Sequence, residues 1–310
     1  MNKVLITGGA GFIGSNLAKI LKNDFDVYIL DNYRTGKKEN IEFLKPEKVF
    51  NENILDTTKI TEIIKEYKFE YIIHLAALVS VAESIEAPLI SQEINSIANL
   101  KLLEIIRKHN NGIKKFVFAS SAAVFGNLPD LPKTNQSPVM PLTPYAIDKY
   151  YGERTTLNYY NLYNIPTVAL RFFNVFGPNQ DPSSQYSGVI SKIFEAFEKN
   201  KSFTFYGDGE QTRDFVYVYD VVEAIKILML NKTTNGKVYN IGTGNYTNLI
   251  NVFKIVESLY GKPISYDFKD ERQGDIKHSY ANIDELKELG FNPKFNIQNA
   301  LKNYYNYKGN

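Results

Sequence analysis

Lys3-Val4-Leu5-Ile6-Thr7-Gly8-Gly9-Ala10-Gly11-Phe12-Ile13-Gly14 is the stretch that decides the fold. Val4 to Thr7 is a short apolar run of strand type, and from Phe12 to Leu21 apolar residues recur at helical spacing. Between them Gly8, Gly11 and Gly14 stand at GxxGxxG spacing, while Gly9, Gly11 and Gly14 also satisfy GxGxxG. A glycine turn between strand and helix lets the backbone pass close to a pyrophosphate, whose charge the helix N-terminus favours. The glycines alone are a weak signal. Their context is the strand before, the helix after, and Asp31 at the tip of the next strand, Val27 to Asp31. A carboxylate there can hold the adenosine ribose hydroxyls and repel a 2′-phosphate, which points to NAD rather than NADP. Arg34, Lys37 and Lys38 follow and read as a solvated basic loop.

Outward from this unit the alternation continues. Lys48 to Phe50 leads into a third strand, Ile60 to Tyr67 reads as a helix, and Tyr71 to Leu75 as a fourth strand. Ile90 to Lys108 predicts a long helix, Lys115 to Ala119 a fifth strand, Tyr145 to Tyr163 a helix, and Thr167 to Arg171 a sixth strand. Continuous apolar strands alternating with helices argue for a doubly wound α/β fold with a parallel sheet covered on both faces. After Arg171 the pattern changes. Gly177 to Pro182 is loop chemistry, Val189 to Lys199 a helix, Tyr206 to Glu210 a turn and Phe215 to Val218 a strand. Val221 to Leu230 reads as a helix and Val238 to Gly242 as a late strand, and the rest mixes short helices with turns. The expected organisation is a Rossmann-type dinucleotide-binding domain over 1–170, to which segments of about 214–240 return. A smaller C-terminal α/β lobe over 171–310 is expected to hold substrate.

Tyr145 and Lys149 are four residues apart, a spacing that stacks both side chains on one helix face. A phenol has an unperturbed pKa of roughly 10. A neighbouring ammonium favours the phenolate, so Lys149 is expected to lower the Tyr145 pKa and make it a general base. Ser121 ends the fifth strand, where ligands of open α/β sheets collect, and its hydroxyl could hydrogen-bond a reacting oxygen. Ser120 is the alternative, which strand alternation would turn to the other face.

The bulk composition excludes several classes. The chain has 310 residues, 44% hydrophobic and 23% charged, which is ordinary for a globular protein. A net charge of +2 without a block of like charges gives no argument for nucleic acid. There is no cysteine, so disulfides, thiolate nucleophiles and zinc–thiolate sites are out. His74, His109 and His278 are too scattered for a metal site, so no metal is expected, and His74 reads as a structural hydrogen-bonding group. The chain opens directly on a strand, and no apolar run is long enough to span a bilayer. The expectation is a cytoplasmic protein with no membrane partner.

In these motifs the chain resembles the extended short-chain dehydrogenase/reductase family and, within it, the UDP-hexose 4-epimerases. The likeness runs nearly end to end: Thr7 to Gly14, Asp31-Asn32, His74 to Ala77, Ser120 to Gly126, Tyr145 to Lys149 and Arg171 to Gly177. It continues through Gly207 to Gly209, Thr212 to Phe215, Asn240 to Gly244 and Arg272 to Asp275. The resemblance implies a catalytic set of Tyr145, Lys149 and Ser121. It implies that NAD is held by Gly8, Gly11, Phe12, Ile13, Asp31, Asn32, Leu75, Ala76, Ala77, Asn95 and Phe172 together with Tyr145 and Lys149. Asn53 and Ile54 would meet the adenine, although family members usually carry an aspartate where Asn53 stands. It further implies that Asn174, Gly188, Val189, Tyr206, Arg213 and Arg272 hold the UDP part of a substrate whose sugar lies against Ser121, Tyr145 and Ser279. Paired arginines suit a pyrophosphate.

Two local features narrow the expectation. Family dehydratases place Asp-Glu directly after the serine or threonine, and related decarboxylases a Glu. This chain has Ala122 and Ala123, which leaves chemistry at the sugar C4 only. Ser279 falls where some relatives carry a bulky Tyr, so a 2-N-acetyl group is expected to fit. The alternatives are a UDP-uronate 4-epimerase, for which Ser80 to Ser84 offers ambiguous polar groups, or a ketosugar reductase of the same family. A redox-sensing scaffold that kept the nucleotide fold is disfavoured, because both Tyr145 and Lys149 remain. The family commonly dimerises through the helices of Ile90 to Lys108 and Tyr145 to Tyr163, so a homodimer is expected.

Overall fold

Strand β1 (Lys3–Thr7) is buried from Val4 onward and lies inside the sheet, between β4 and β2. A computed structural model describes residues 1–181, 188–271 and 276–309 of the chain. The strands that follow β1 are β2 (Asp26–Leu30), β3 (Val49–Phe50), β4 (Tyr71–His74), β5 (Lys115–Ser121) and β6 (Thr167–Phe172). After β6 come β7 (Asn174–Phe176), β8 (Phe203–Tyr206), β9 (Thr212–Arg213), β10 (Phe215–Tyr217) and β11 (Lys237–Ile241). The last three are β12 (Thr247–Asn248), β13 (Tyr266–Lys269) and β14 (His278–Ser279). The main sheet has seven strands in the order β11-β6-β5-β4-β1-β2-β3. Every neighbouring pair in it is parallel. Such a sheet must be covered on both faces, because its crossovers place helices there.

The helices are α1 (Phe12–Leu21), α2 (Thr57–Tyr67), α3 (Val81–Glu86), α4 (Pro88–Gln92), α5 (Ala98–His109) and α6 (Pro144–Tyr163). They continue as α7 (Val189–Glu198), α8 (Val218–Leu230), α9 (Leu249–Tyr260), α10 (Asp284–Lys287) and α11 (Ile297–Tyr307). One face of the sheet buries Leu17 and Leu21 of α1 with Val221, Ile225 and Leu228 of α8. The other buries Ile60 and Ile64 of α2, Leu102 and Ile106 of α5 and Leu157 of α6. A third cluster, with Phe194 and Phe197 of α7, Phe253 of α9 and Tyr304 of α11, forms the core of the C-terminal lobe.

Helix α6 shows how local sequence sets an element. Thr143 caps it by accepting a hydrogen bond from the Ala146 N–H at 3.3 Å. Pro144 occupies the first turn, where its missing N–H costs nothing, and Asn164 ends the helix in a left-handed conformation.

The structure corrects two expectations of the sequence. Ile90 to Lys108 is not one regular helix: α4 runs through a π-helical turn, Glu93–Ile97, into α5. The region after Gly242 holds more than short helices. Helix α9 has 12 residues, with Leu249, Val252, Phe253 and Val256 forming a buried stripe; Asn248 caps its start and Gly261 its end. The stripe is helical in spacing, but it becomes decisive only when the lobe core closes on it.

Candidate active site

A cavity of about 620 Å³ opens at the C-terminal ends of β1, β4 and β5, where the strand order reverses between β1 and β4. That crevice is where open α/β sheets take ligands. Gly8, Gly11, Phe12 and Ile13 form its floor. Gly8 adopts φ +68°, and a Cβ there would stand 2.8 Å from the Ala76 nitrogen. A Cβ on Gly14 would stand 2.4 Å from the Gly8 carbonyl oxygen. The turn is therefore closed to any side chain, and the start of α1 lies open to the cavity.

Asp31 and Asn32 line the same end, with Asn53 and Ile54 beyond them. The Asp31 carboxylate accepts hydrogen bonds from Ala10 N (2.9 Å) and Tyr33 N (2.8 Å). Burial pushes its pKa up, against the pull of those two bonds. Its remaining lone pairs are free for hydroxyl donors. Asn53 turns its side-chain oxygen to Leu55 N at 3.0 Å, which shapes the local turn. The glycine cradle and the acid at the tip of β2 fit a dinucleotide with free ribose hydroxyls.

The basic loop is not simply solvated. Arg34 pairs with Glu83 of α3, and both line the cavity. Lys37 pairs with Asp181 at 2.8 Å. Lys38 lies over the Tyr33 ring, 5.5 Å from its centroid. Arg34 and Lys37 thus each have a carboxylate partner, although both stay partly exposed to water.

Leu75, Ala76 and Ala77 line the cavity wall next to β4. Asn95 does not. It stands one layer behind, with its oxygen accepting from Leu78 N (2.9 Å) and its amide nitrogen donating to Leu78 O (3.0 Å). Both ends of the amide are engaged in holding the loop, so Asn95 shapes the wall from outside. His74 is fully buried; its Nδ1 shares a 2.7 Å hydrogen bond with Thr7 Oγ1, and burial pushes its pKa down to about 3. It is a neutral structural group.

Tyr145, Lys149 and Ser121 meet on the cavity wall, with Phe172 close by. Ser121 ends β5, and its Oγ accepts from Ala123 N at 3.2 Å, which leaves the hydroxyl proton available. Tyr145 sits in the first turn of α6, where the helix dipole favours negative charge. Its N–H donates to Ser84 Oγ at 3.1 Å. Lys149 Nζ donates to Ala119 O at 2.9 Å and lies 5.8 Å from the Tyr145 ring centroid.

Here the electrostatics differ from the sequence expectation. Burial raises the Tyr145 pKa; the nearby Ser121 side chain is what pulls it down, and Lys149 makes no comparable contribution. The reason is geometric: the ammonium is turned to the Ala119 carbonyl. Lys149 is itself buried, and that burial lowers its pKa to about 8. Ser120 points elsewhere, donating to Glu153 Oε2 at 2.8 Å.

On the substrate side, Asn174 and Gly188 line the cavity. Val189, Tyr206, Arg213 and Ser279 lie outside its lining, at the start of α7, the end of β8 and on β9 and β14. Arg213 and Ser279 are direct register partners in the β9–β14 pair, so the fold does bring them side by side. Arg213 Nη1 donates to Thr212 O (2.9 Å) and Lys277 O (3.2 Å). Arg272 lies outside the described residues. Ser80, a lining residue absent from the expected set, carries a readable signal: Ser80-Val81-Ala82-Glu83 has capping-box spacing, and Ser80 Oγ accepts from Glu83 N at 2.9 Å. Among the described residues no group of His, Asp and Glu could hold a metal ion, and no helix is long and apolar enough to cross a membrane.

This fold and this Ser–Tyr–Lys group define the extended short-chain dehydrogenase/reductase class. Within that class, the chain belongs to the NAD dependent epimerase/dehydratase family, whose sequence profile matches residues 4–242. It is an epimerase-type enzyme, and NAD is its cofactor. It is 38% identical to a putative UDP-glucose 4-epimerase of Methanocaldococcus jannaschii, over 99% of this chain and 98% of that one. Among solved structures it is similar to the UDP-glucose 4-epimerase of Thermotoga maritima with UDP-glucose (TM-score 0.93, 34% identity, 99% and 98% covered). It is also similar to the UDP-N-acetylglucosamine 4-epimerase of Methanobrevibacter ruminantium in complex with UDP-N-acetylmuramic acid (TM-score 0.91, 36% identity, 99% and 98% covered).

Proposed function

We propose that the protein interconverts UDP-hexoses at the sugar C4 through a transient 4-ketose. The observation that carries this reading is the meeting of Tyr145, Ser121 and Lys149 in one cavity, followed at Ala122 and Ala123 by a turn that offers no second acid–base pair. When bound, NAD supplies a reversible hydride acceptor and a positive ring beside the phenol. Tyr145 takes the proton from the C4 hydroxyl and later returns it. Ser121, whose own oxygen is held by Ala123 N, donates its hydroxyl proton to the reacting oxygen. Lys149, held by Ala119 O, supplies contacts to the nicotinamide ribose. Asn174 and Gly188, with Val189, Tyr206, Arg213 and Arg272, anchor the UDP part, so the sugar can present either face of C4 between the two steps. The similarity to two 4-epimerases over almost the whole chain supports the same reading.

Ser279 stands where some relatives carry a bulky Tyr, and on that resemblance we infer activity on UDP-GlcNAc and UDP-GalNAc as well as UDP-Glc and UDP-Gal. The test is a panel: the purified protein is incubated with each of these sugars and with UDP-glucuronate, without added cofactor, and the products are resolved. Interconversion of C4 epimers without NAD(P)H consumption is expected. Turnover that requires stoichiometric NAD(P)H would indicate a ketosugar reductase, and turnover of the uronate alone a uronate epimerase. In the same panel Ser279→Tyr is expected to lose the N-acetylated pair by roughly tenfold or more while keeping the others; unchanged turnover of all four removes Ser279 from the specificity argument.

The protein is expected to act as a homodimer. Ile85 of α3, Leu89 and Ile90 of α4, and Ile147 and Tyr151 of α6 are all exposed, on helices packed together. Contiguous apolar surface of this kind marks an interaction face. Light scattering at micromolar concentration should give about twice the chain mass of 35.4 kDa; a monomer mass contradicts the proposal.

A further inference from the structure

Ser120 is a buried hydroxyl that the reaction above does not use. Side chains alternate along a strand, so Phe116, Phe118 and Ser120 of β5 share one face. The two phenylalanines pack in the cluster that holds Leu157 of α6. Ser120 is where this row turns polar, one residue before Ser121. Its Oγ donates to Glu153 Oε2 of α6 at 2.8 Å. The charge of Glu153 does not need that bond for its balance. Arg171 of β6 already meets the carboxylate with Nε at 2.9 Å and Nη2 at 2.7 Å, and both partners are buried. An alanine in place of Ser120 would leave this two-pronged pair matched.

The bond is one of several at the junction of β5 and α6. Tyr145, Lys149 and Glu153 are spaced four residues apart on α6, which puts them along one face. Each meets the end of β5. Glu153 accepts from Ser120 Oγ, Lys149 Nζ donates to Ala119 O at 2.9 Å, and Tyr145 lies beside the Ser121 side chain. The helix face that carries the phenol thus also carries two pegs that fix the strand presenting the serine. Arg171 is the register partner of Ser120 on one side and of Asn240 in β11 on the other. It donates from Nη1 to Asn135 O at 3.1 Å, and Asn135 Oδ1 accepts from Asn240 N at 2.9 Å. The carboxylate that receives Ser120 is therefore anchored through β6 to β11.

We propose that Ser120 is a positioning residue: through Glu153 it holds the end of β5 in register with α6, so that the Ser121 hydroxyl stays within reach of the Tyr145 oxygen. The inference rests on the catalytic reading above, in which Ser121 and Tyr145 share one reacting oxygen. Ser121 has little hold of its own. Its Oγ accepts from Ala123 N at 3.2 Å, a bond within the same turn that moves with it. A displacement of about 1 Å at a catalytic group can cost roughly 10²-fold in rate. The charged groups around the junction keep their partners when Ser120 is replaced. On α6, Lys149 is held by Ala119 O and Asp148 by Ser91 and Ser96. On β6, Arg171 stays with Glu153; on α3, Glu83 stays with Arg34; on β4, His74 is neutral. Glu86 and Glu93, on the elements packed against α6, are exposed.

The test compares Ser120→Ala and Ser120→Thr with wild type, all loaded with NAD. Alanine removes the donor and little volume; threonine keeps the hydroxyl and suits a strand. Ser120→Ala is expected to lower kcat roughly tenfold, with KM and NAD content near wild type. The Ser121 side chain pulls the Tyr145 pKa down, so a serine that drifts away lets it rise. The acid limb of the kcat profile should therefore move up by about half a pH unit. A second readout does not depend on turnover. Tyrosine labelled with carbon-13 at Cζ is followed by NMR, and the Tyr145 signal is identified by its loss in Tyr145→Phe. Its midpoint should move up by the same interval, and Ser120→Thr should restore both rate and midpoint. A folded, NAD-loaded Ser120→Ala protein with wild-type kcat and an unmoved Tyr145 midpoint overturns the proposal. So does a loss of rate and thermal stability with no movement of the midpoint, the result of a bond that only holds the fold together. Lack of epimerase activity in the wild type would defeat the catalytic reading alone, because the Tyr145 titration still decides the role of Ser120.

Discussion

Tyr145→Phe is expected to lower kcat for C4 epimerisation by roughly 10³-fold, with KM and bound NAD near wild-type values. The phenylalanine ring fills the same space, so Ser121, Lys149 and the cavity wall keep their places. What is lost is one oxygen, in the first turn of α6 beside the Ser121 side chain. That oxygen is the only proton acceptor assigned to the C4 hydroxyl, since Ala122 and Ala123 follow Ser121 and His74 is neutral and buried. Burial raises the Tyr145 pKa in the protein alone, against the pull of the Ser121 side chain, so the ionised phenol depends on the Ser121 hydroxyl, the helix N-terminus and the positive ring of the bound cofactor. Steady-state kinetics with UDP-Glc, together with cofactor content after acid release, checks the prediction. Interconversion as fast as wild type in the phenylalanine variant would remove the phenol from the mechanism.

The second large effect concerns stability. Glu153→Met is expected to destabilise the protein by about 3–5 kcal/mol, the usual result of leaving a buried charge without its partner. Glu153 is 0% exposed. Its carboxylate receives Arg171 Nε at 2.9 Å and Nη2 at 2.7 Å, and Ser120 Oγ at 2.8 Å. The substitution leaves the Arg171 guanidinium with the Asn135 carbonyl oxygen, 3.1 Å from Nη1, and the face of Phe125, 4.7 Å away. Neither neutralises it. Glu153→Met combined with Arg171→Met removes both charges and should recover most of the loss. Denaturant midpoints at one fixed saturating NAD concentration make the comparison fair, because a ligand that binds the native state adds to apparent stability. A single variant within about 1 kcal/mol of wild type would show that the ion pair is not what binds α6 to β5 and β6.

The half of the chain before Arg171 was legible because it is built from strong periodic signals. The run Val4 to Thr7, the glycines and the Phe12 to Leu21 stripe each point to the same βαβ unit, and the structure keeps Phe12–Leu21 as α1. Tyr145 and Lys149 could be placed on one helix face from spacing alone. Orientation was harder to read. The resemblance implies that Asn95 lines the cofactor, but nothing in the sequence shows that its amide faces Leu78. The π-turn that turns it there adds one residue to a helical pattern, and an apolar periodicity read at 3.6 residues per turn does not resolve one extra residue. The pairing of Arg213 with Ser279 was invisible for another reason: β9 and β14 have two residues each, too few for an alternation to register. The Arg34–Glu83 and Lys37–Asp181 pairs join positions far apart in sequence, and only the tertiary fold selects those partners.

Strand β11 has a bearing on biosynthesis. It pairs with β6, yet it is made only after β7 to β10, most of which belong to the lobe. While a ribosome is still producing those segments, β6 presents an open row of backbone donors and acceptors, and the apolar side of α8 has not arrived to cover its face of the sheet. A nascent chain stopped near residue 172 is therefore a sticky fragment rather than a finished nucleotide-binding module. Cells that make this protein have reason to shield that edge until translation has passed Ile241.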